Sequence, residues 1–141
     1  FEDQGFLFNG CETFSRFLAD VERDVGVIAD FGNIAFVDET IEPFIWRFAD
    51  RIVHVHVKDY RITAQAQRQM RPGEYLTMNG SYLQDCPLGQ GDIPIKKAMR
   101  LLGELQYSGS ISLESPPFGA NERDAFEKNL HRMQTYIQNF L

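Results

Sequence analysis

The chain has 141 residues, 43% of them hydrophobic, with 14 basic against 20 acidic side chains and a net charge of −6. That length suits one globular domain with a single core. The acidic balance argues against a nucleic-acid ligand, which needs clustered Lys and Arg, and no apolar run is long enough to cross a membrane. Cys11 and Cys86 form no CxxC pair and no secretory leader is apparent, so the setting expected is reducing and cytoplasmic.

In chain order, the segment at Phe1 reads as the last residues of a strand entering a loop, with Glu2 at its end and Asp3 on the rim. Phe14, Phe17, Leu18 and Val21 keep helical spacing, and residues 25–29 read as a strand that delivers Asp30. Ile41, Phe44, Ile45 and Phe48 form a second helical stripe behind Thr40 as N-cap, with Trp46 as packing. Residues 52–57 then alternate strictly. His54, His56 and Lys58 fall on one face, and Val53, Val55 and Val57 on the other. Solvent-facing strand residues are normally a polar mixture, so two imidazoles and an ammonium in register mark a strand that lines a site.

Residues 61–91 show no helical stripe and are rich in Gln, Arg and Gly. A connection that long is uncommon in a compact domain. It is expected to be a long loop forming a lid over the site, with a subunit-contact insertion or disorder as alternatives. Within it, Leu88-Gly-Gln-Gly-Asp92 is a two-glycine approach to a helix, whose amides could meet an anion. Asp92 is the N-cap expected for a third helix carrying Ile95, Ala98, Met99 and Leu102, which Gly109 closes. Residues 110–113 form a strand ending at Glu114, and a last helix runs from about Arg123 to the end with His131 on its surface.

Strand and helix thus alternate four times, which predicts a parallel sheet of βα units. Ser110, Ser112 and Glu114 oppose Ile111 and Leu113 much as the histidines oppose the valines. Strands so divided suit a barrel, whose outer face meets helices and whose inner face carries chemistry at its mouth, better than an open sheet apolar on both faces. The fold class expected is α/β: four βα units with parallel strands, the C-terminal half of a (β/α)8 TIM barrel. Such a barrel needs about 250 residues. The chain is therefore expected to be the C-terminal part of a single domain whose N-terminal half is absent, or to pair with a second copy as a homo-oligomer.

Glu2, Asp30, His56 and Glu114 stand at the same place in successive units, the C-terminal end of the strand, where barrel active sites lie. Three carboxylates crowded together repel unless a cation neutralises them. Three oxygen donors and one nitrogen suit Mn2+, Mg2+ or Co2+ better than a structural Zn2+, with Zn2+ also admissible. His54, one inward step deeper, is expected to orient a ligand or satisfy a buried hydrogen bond. Lys58, one step above, can hold a substrate oxygen or phosphate, and Asp59 and Arg61 are further rim candidates for substrate binding.

The ordered set Phe1-Glu-Asp-Gln-Gly5, Ile28-Ala-Asp-Phe-Gly-Asn33, Ile52-Val-His-Val-His-Val-Lys-Asp59, Leu88-Gly-Gln-Gly-Asp-Ile93 and Tyr107-Ser-Gly-Ser-Ile-Ser-Leu-Glu114 resembles the C-terminal half of the xylose isomerase-like TIM-barrel family of sugar-phosphate isomerases and epimerases. The resemblance implies a divalent ion held by Glu2, Asp30, His56 and Glu114, and proton transfer by Glu2 and Glu114. Asn33 stands where many members carry a substrate-binding His. It keeps the capacity to hydrogen-bond substrate but cannot act as an acid. Three histidines and an acidic chain set this protein apart from the family's DNA-repair branch. The expected activity is isomerisation or epimerisation of a sugar or sugar phosphate by proton transfer next to a metal-chelated carbonyl. The alternatives are dehydration of a related polyol ketone at the same metal, and a sugar- or partner-binding barrel without turnover.

Overall fold

The computed structural model describes residues 1–6, 8–21, 23–64, 69–116 and 121–141. Strands β1 (Val27–Asp30), β2 (Ile52–Val57) and β6 (Ser110–Leu113) form a parallel sheet in the order β1-β2-β6. A parallel bridge from Glu2 to Ile28 sets the first residues beside β1 as a fourth position. The result is an α/β, partial barrel that does not close. Helices α1 (Cys11–Ala19), α2 (Ile41–Phe48), α3 (Ile95–Glu104) and α4 (Glu122–Phe140) complete the βα alternation.

The core lies between the sheet and the helices. Val27, Ala29, Val55 and Val57 are buried there with Phe14, Phe44, Ile45, Ala98, Met99 and Leu102. Phe14 lies 5.1 Å from Phe44 and 5.4 Å from Phe48, ring centre to ring centre, and joins α1 to α2 through tilted and edge-on contacts. Gly103 lets α3 approach α4 closely, since a Cβ there would collide with the Phe140 carbonyl. Among the described residues no helix is long and apolar enough to cross a membrane.

Several expectations change in detail. Val53 does not share the buried face of Val55 and Val57 and is 58% exposed. The ladder pairs Val27 with Ile52 and Ile28 with His54, so Val53 is the extra residue of a bulge that turns it outward. Val21 lies beyond the end of α1. Trp46 is 60% exposed on the outer face of α2, because the packed positions of that helix are Ile41, Phe44, Ile45 and Phe48. Pro94, not Asp92, precedes α3, and the Asp92 carboxylate accepts the Ile62 amide instead. Helix α3 stops at Glu104, and Gln106 takes the left-handed conformation (φ 56°) that closes its last turn, well before Gly109.

The largest departure concerns residues 61–91. Apart from residues 65–68, which lie outside the described residues, this stretch is not a structureless loop. Strands β3 (Tyr60–Thr63), β4 (Glu74–Leu76) and β5 (Tyr82–Asp85) form an antiparallel sheet in the order β3-β5-β4. It is pinned to the short 3-10 helix Asn33–Val37 that follows β1. Asp38 accepts the Thr77 hydroxyl at 2.8 Å and the Asn79 amide at 2.9 Å, and the Met78 amide donates to the Phe36 carbonyl at 2.9 Å.

Candidate metal centre

Register puts Asp30 beside His56 and His56 beside Ser112, and the Glu114 amide bonds the Val57 carbonyl one step on. Parallel strands in register therefore present their last side chains on one rim. One donor atom each from Glu2, Asp30, His56 and Glu114 lie within 4.8 Å of one another.

The two oxygens of Asp30 do different work. Oδ1 accepts the Gly32 and Asn33 amides at 2.8 and 2.9 Å, capping the turn after β1, while Oδ2 faces the cluster. A strand-end carboxylate can thus be a cap and a ligand at once. The carboxyl is fully buried, and that burial raises it to about 6, against the opposing pull of the Lys58 charge and the two amides.

The Nδ1 atom of His56 faces Glu2 Oε1 at 3.1 Å, Glu114 Oε2 at 3.3 Å and Asp30 Oδ2 at 3.8 Å. One ring nitrogen carries at most one proton and cannot satisfy three carboxylates. Asp30 Oδ2 lacks a well-directed hydrogen bond although Lys58 Nζ is 3.0 Å away. Lys58 also donates to Glu114 at 2.8 Å and to Asn33 Oδ1 at 3.1 Å. Three carboxylates against one ammonium leave two negative charges. A divalent cation is the complement of that balance, so this donor set fits such an ion.

Lys58 is a buried member of this centre, two residues beyond His56 on the same face. Burial works against its charge, but Asp30 and Glu114 outweigh it and hold the ammonium above its ordinary range. Burial also raises Glu114, yet the Lys58 hydrogen bond and charge, helped by Asp30 and His56, keep it below the usual carboxylate range. Gly32 makes room for this lysine, since a Cβ there would collide with the Lys58 stem and the Tyr60 ring. Asn33 donates to Glu2 Oε1 at 3.2 Å. One step deeper, His54 Nε2 pairs with the Ser112 hydroxyl at 2.9 Å, and its ring meets that of His56 edge-on at 5.0 Å.

Three residues expected at the rim, Asp59, Arg61 and Asp3, lie elsewhere. Asp59 turns away from the centre and accepts the amides of Gly89 at 2.8 Å, Gly91 at 2.9 Å and Ile93 at 3.3 Å, so the two-glycine loop already holds an anion from its own chain. Arg61 is exposed and pairs with Gln84, on the opposite face of β3 from Tyr60. Asp3 is not on the rim either. It is fully buried beneath Asp30, whose amide it accepts at 2.7 Å, and burial raises its carboxyl well above the ordinary range. Sequence reasoning did not single out Asn129, which is buried and joins the Leu88 amide to the Ser115 hydroxyl. A buried polar residue inside an amphipathic helix has no distinguishing period, so no sequence signal marks it.

The profile of the xylose isomerase-like TIM barrel family matches residues 3–136, and the chain belongs to that family. Inosose dehydratase of Lactiplantibacillus plantarum is 31% identical over 107 residues, covering 74% of this chain and 35% of that protein. The inosose dehydratase of Salmonella typhimurium is 28% identical over 119 residues, 83% of this chain and 39% of that protein. The chain spans less than two fifths of the length of these relatives. A xylose isomerase domain protein from Planctomyces limnophilus superposes with a TM-score of 0.71 at 18% identity, covering 99% of this chain and 44% of that one. The IOLI protein with a bound zinc atom gives 0.63 at 20% identity, over 93% of this chain and 44% of that one. A xylose isomerase-like TIM-barrel protein from Mycobacterium smegmatis in complex with magnesium gives 0.62 at 19% identity, over 99% and 44%. These likenesses establish the fold.

Proposed function

We propose that this protein holds a divalent cation on Glu2, Asp30, His56 and Glu114 and moves a proton next to the carbonyl of a polyhydroxy ketone. The observation that carries the reading is the single His56 nitrogen facing three carboxylates, with Lys58 leaving the cluster two charges short of neutrality. When bound, the cation would polarise the substrate's carbonyl and hydroxyl oxygens. Glu114, 51% exposed and held ionised by Lys58, is placed to take the proton from carbon. Glu2, held by Asn33 and His56 and partly open to solvent, would take up a proton from water and deliver it on the other side. Lys58 supplies a donor for oxygen charge that builds up during transfer. Two carboxylates from opposite sides of one cluster suit isomerisation or epimerisation of a sugar or sugar phosphate.

A second reading is dehydration, in which Glu2 gives its proton to a departing hydroxyl rather than to carbon. It is favoured by the names of the sequence relatives, both inosose dehydratases. Both readings share the removal of a proton from carbon. Incubating the Mn2+-loaded protein with ketoses and cyclic polyol ketones in D2O should wash deuterium into the position beside the carbonyl. Retained carbon skeletons with exchanged hydrogen indicate isomerisation, and an unsaturated or diketone product absorbing in the ultraviolet indicates dehydration. Absence of exchange across the panel, in protein shown to bind metal, would leave a binding barrel without turnover.

A further inference from the structure

Asn33 opens the short 3-10 helix after β1 and is only 5% exposed, so its side chain lies inside the rim and not on it. Every polar group it carries has a partner. Its backbone amide donates to Asp30 Oδ1 at 2.9 Å, and its carbonyl accepts the side-chain amide of Asn9. Its own side chain donates from Nδ2 to Glu2 Oε1 at 3.2 Å and accepts the Lys58 ammonium on Oδ1 at 3.1 Å. That orientation has one sense only, because an ammonium can only donate and an ionised carboxylate can only accept. A flipped amide would set its oxygen against the Glu2 carboxylate and its hydrogens against Lys58, and both bonds would be lost. The three carboxylates of the cluster are not held alike. Asp30 is fixed by the Gly32 and Asn33 amides, and Glu114 by Lys58. Among the described residues Glu2 meets only His56 Nδ1 and Asn33 Nδ2, both on Oε1. Its backbone is joined to β1 by a single bridge at Ile28, and the segment that follows returns to Asn33 through the buried Asn9.

We propose that Asn33 is a positioning residue, whose side-chain amide holds the Glu2 carboxylate toward the cation site with Lys58 beside it, and that it is not a contact to substrate. The inference rests on the proton-transfer reading above and deepens it by assigning what orients one of its two carboxylates. His56 is itself a proposed donor to the ion, so Asn33 is the hydrogen-bond partner that Glu2 keeps when the ring nitrogen is committed there. A glutamate side chain is long and rich in rotamers, and a bond to an amide pinned through its own backbone on both sides restricts that freedom. At this depth a substrate hydroxyl would reach the amide by displacing Glu2 or Lys58. The exchange would replace a charge-assisted hydrogen bond with a neutral one about half as strong.

The test is a double-mutant cycle read by calorimetric titration of chelator-stripped protein with Mn2+, which needs no turnover. Asn33→Leu keeps the side chain's size and the two backbone bonds while removing both side-chain contacts. It should weaken Mn2+ binding roughly tenfold in the wild-type background. In Glu2→Ala, where the carboxylate it positions is gone, the same substitution should cost less than about threefold. Circular dichroism verifies folding, and Asn33→Ala repeats the cycle if the leucine does not fit. Equal losses in both backgrounds, or no loss in either, overturn the proposal without bearing on the reaction. With Mn2+ saturating, Asn33→Leu should slow deuterium wash-in at saturating ketone about tenfold and leave the half-saturating ketone concentration within about threefold. A raised half-saturating concentration at an unchanged saturated rate would make Asn33 a substrate contact and overturn the assignment. Coupling to Glu2 in the Mn2+ cycle without exchange into any ketone would leave the positioning role and remove the reaction.

Discussion

Replacing Lys58 by Met tests the charge balance directly, because the two side chains are alike in length and differ in the ammonium. In the metal-free protein Lys58 neutralises a fully buried Asp30 at 3.0 Å and a half-exposed Glu114 at 2.8 Å. Removing one partner of a buried pair typically costs 3–5 kcal/mol. Here Asp30 can relieve part of that by taking a proton, since its carboxyl is already raised to about 6. A loss of about 2–3 kcal/mol at pH 7, smaller at pH 5, is expected. Metal affinity should move the other way. A unit charge about 5 Å from a divalent ion is worth roughly 7 kcal/mol at an effective dielectric of 20, and solvent on the Glu114 side reduces this severalfold. Lys58→Met should therefore bind Mn2+ about 10- to 100-fold more tightly than wild type, while proton transfer slows for want of the donor. Titration calorimetry on chelator-stripped protein, beside urea unfolding with and without Mn2+, reads both effects. Weaker Mn2+ binding by a folded Lys58→Met variant would mean that the ammonium supports the ion's site rather than competing with it, and the charge argument would fail.

His56→Ala should abolish most divalent affinity, about 100-fold or more, because it removes the only nitrogen donor of the cluster; His54→Ala, which loses a hydrogen bond to Ser112, should cost tenfold at most. Equal losses in equilibrium dialysis would refute the difference in depth. The pH dependence follows from Asp30, whose folded carboxyl is raised. Its protonated form favours the fold, so metal-free stability should be greatest below about pH 4 on this account and fall as pH rises through about 6, with buried Asp3 acting in the same direction. Mn2+ affinity should instead climb through the same window and then level off, because the ion displaces the proton; a flat affinity between pH 5 and 7 would contradict this. Gly103→Ala gains roughly 1 kcal/mol of helix propensity but must push α3 from the Phe140 carbonyl, so a net loss of about 1–2 kcal/mol is expected in urea unfolding.

How far the site could be read from the chain depended on period. A strand alternates faces every residue, so His54, His56 and Lys58 declared a common face, and the repeating βα unit then aligned Asp30 and Glu114 with His56 by equivalence alone. The same reasoning failed one residue further on. Asp59 follows Lys58 where the chain leaves one sheet for another, and only the fold shows that its carboxylate turns into the Gly89–Gly91 amides. Asp3 was misplaced for a related reason, since strand pairing and not local pattern buries it under the Asp30 amide. The bulge at Val53 likewise leaves no mark on a run of valines and histidines that alternates without a break.

The antiparallel sheet is legible in the sequence at one place. Asn79-Gly80 is a strong hairpin signal, and it sits between β4 and β5 with Gly80 in the positive-φ conformation such a turn requires. Strands of three and four residues carry too little alternation to stand out in a stretch rich in Gln and Arg. What holds the hairpin is tertiary: Asp38 grips Thr77 and Asn79, and Phe36 receives the Met78 amide. Those anchors belong to the turn that also carries Asn33, which touches both Glu2 and Lys58. The sheet and the acidic cluster are therefore joined through five residues of 3-10 helix. The Tyr75 ring packs on Phe36, and Asn33 at the start of the same short helix holds Glu2, so one turn of chain contacts both the antiparallel sheet and the acidic cluster.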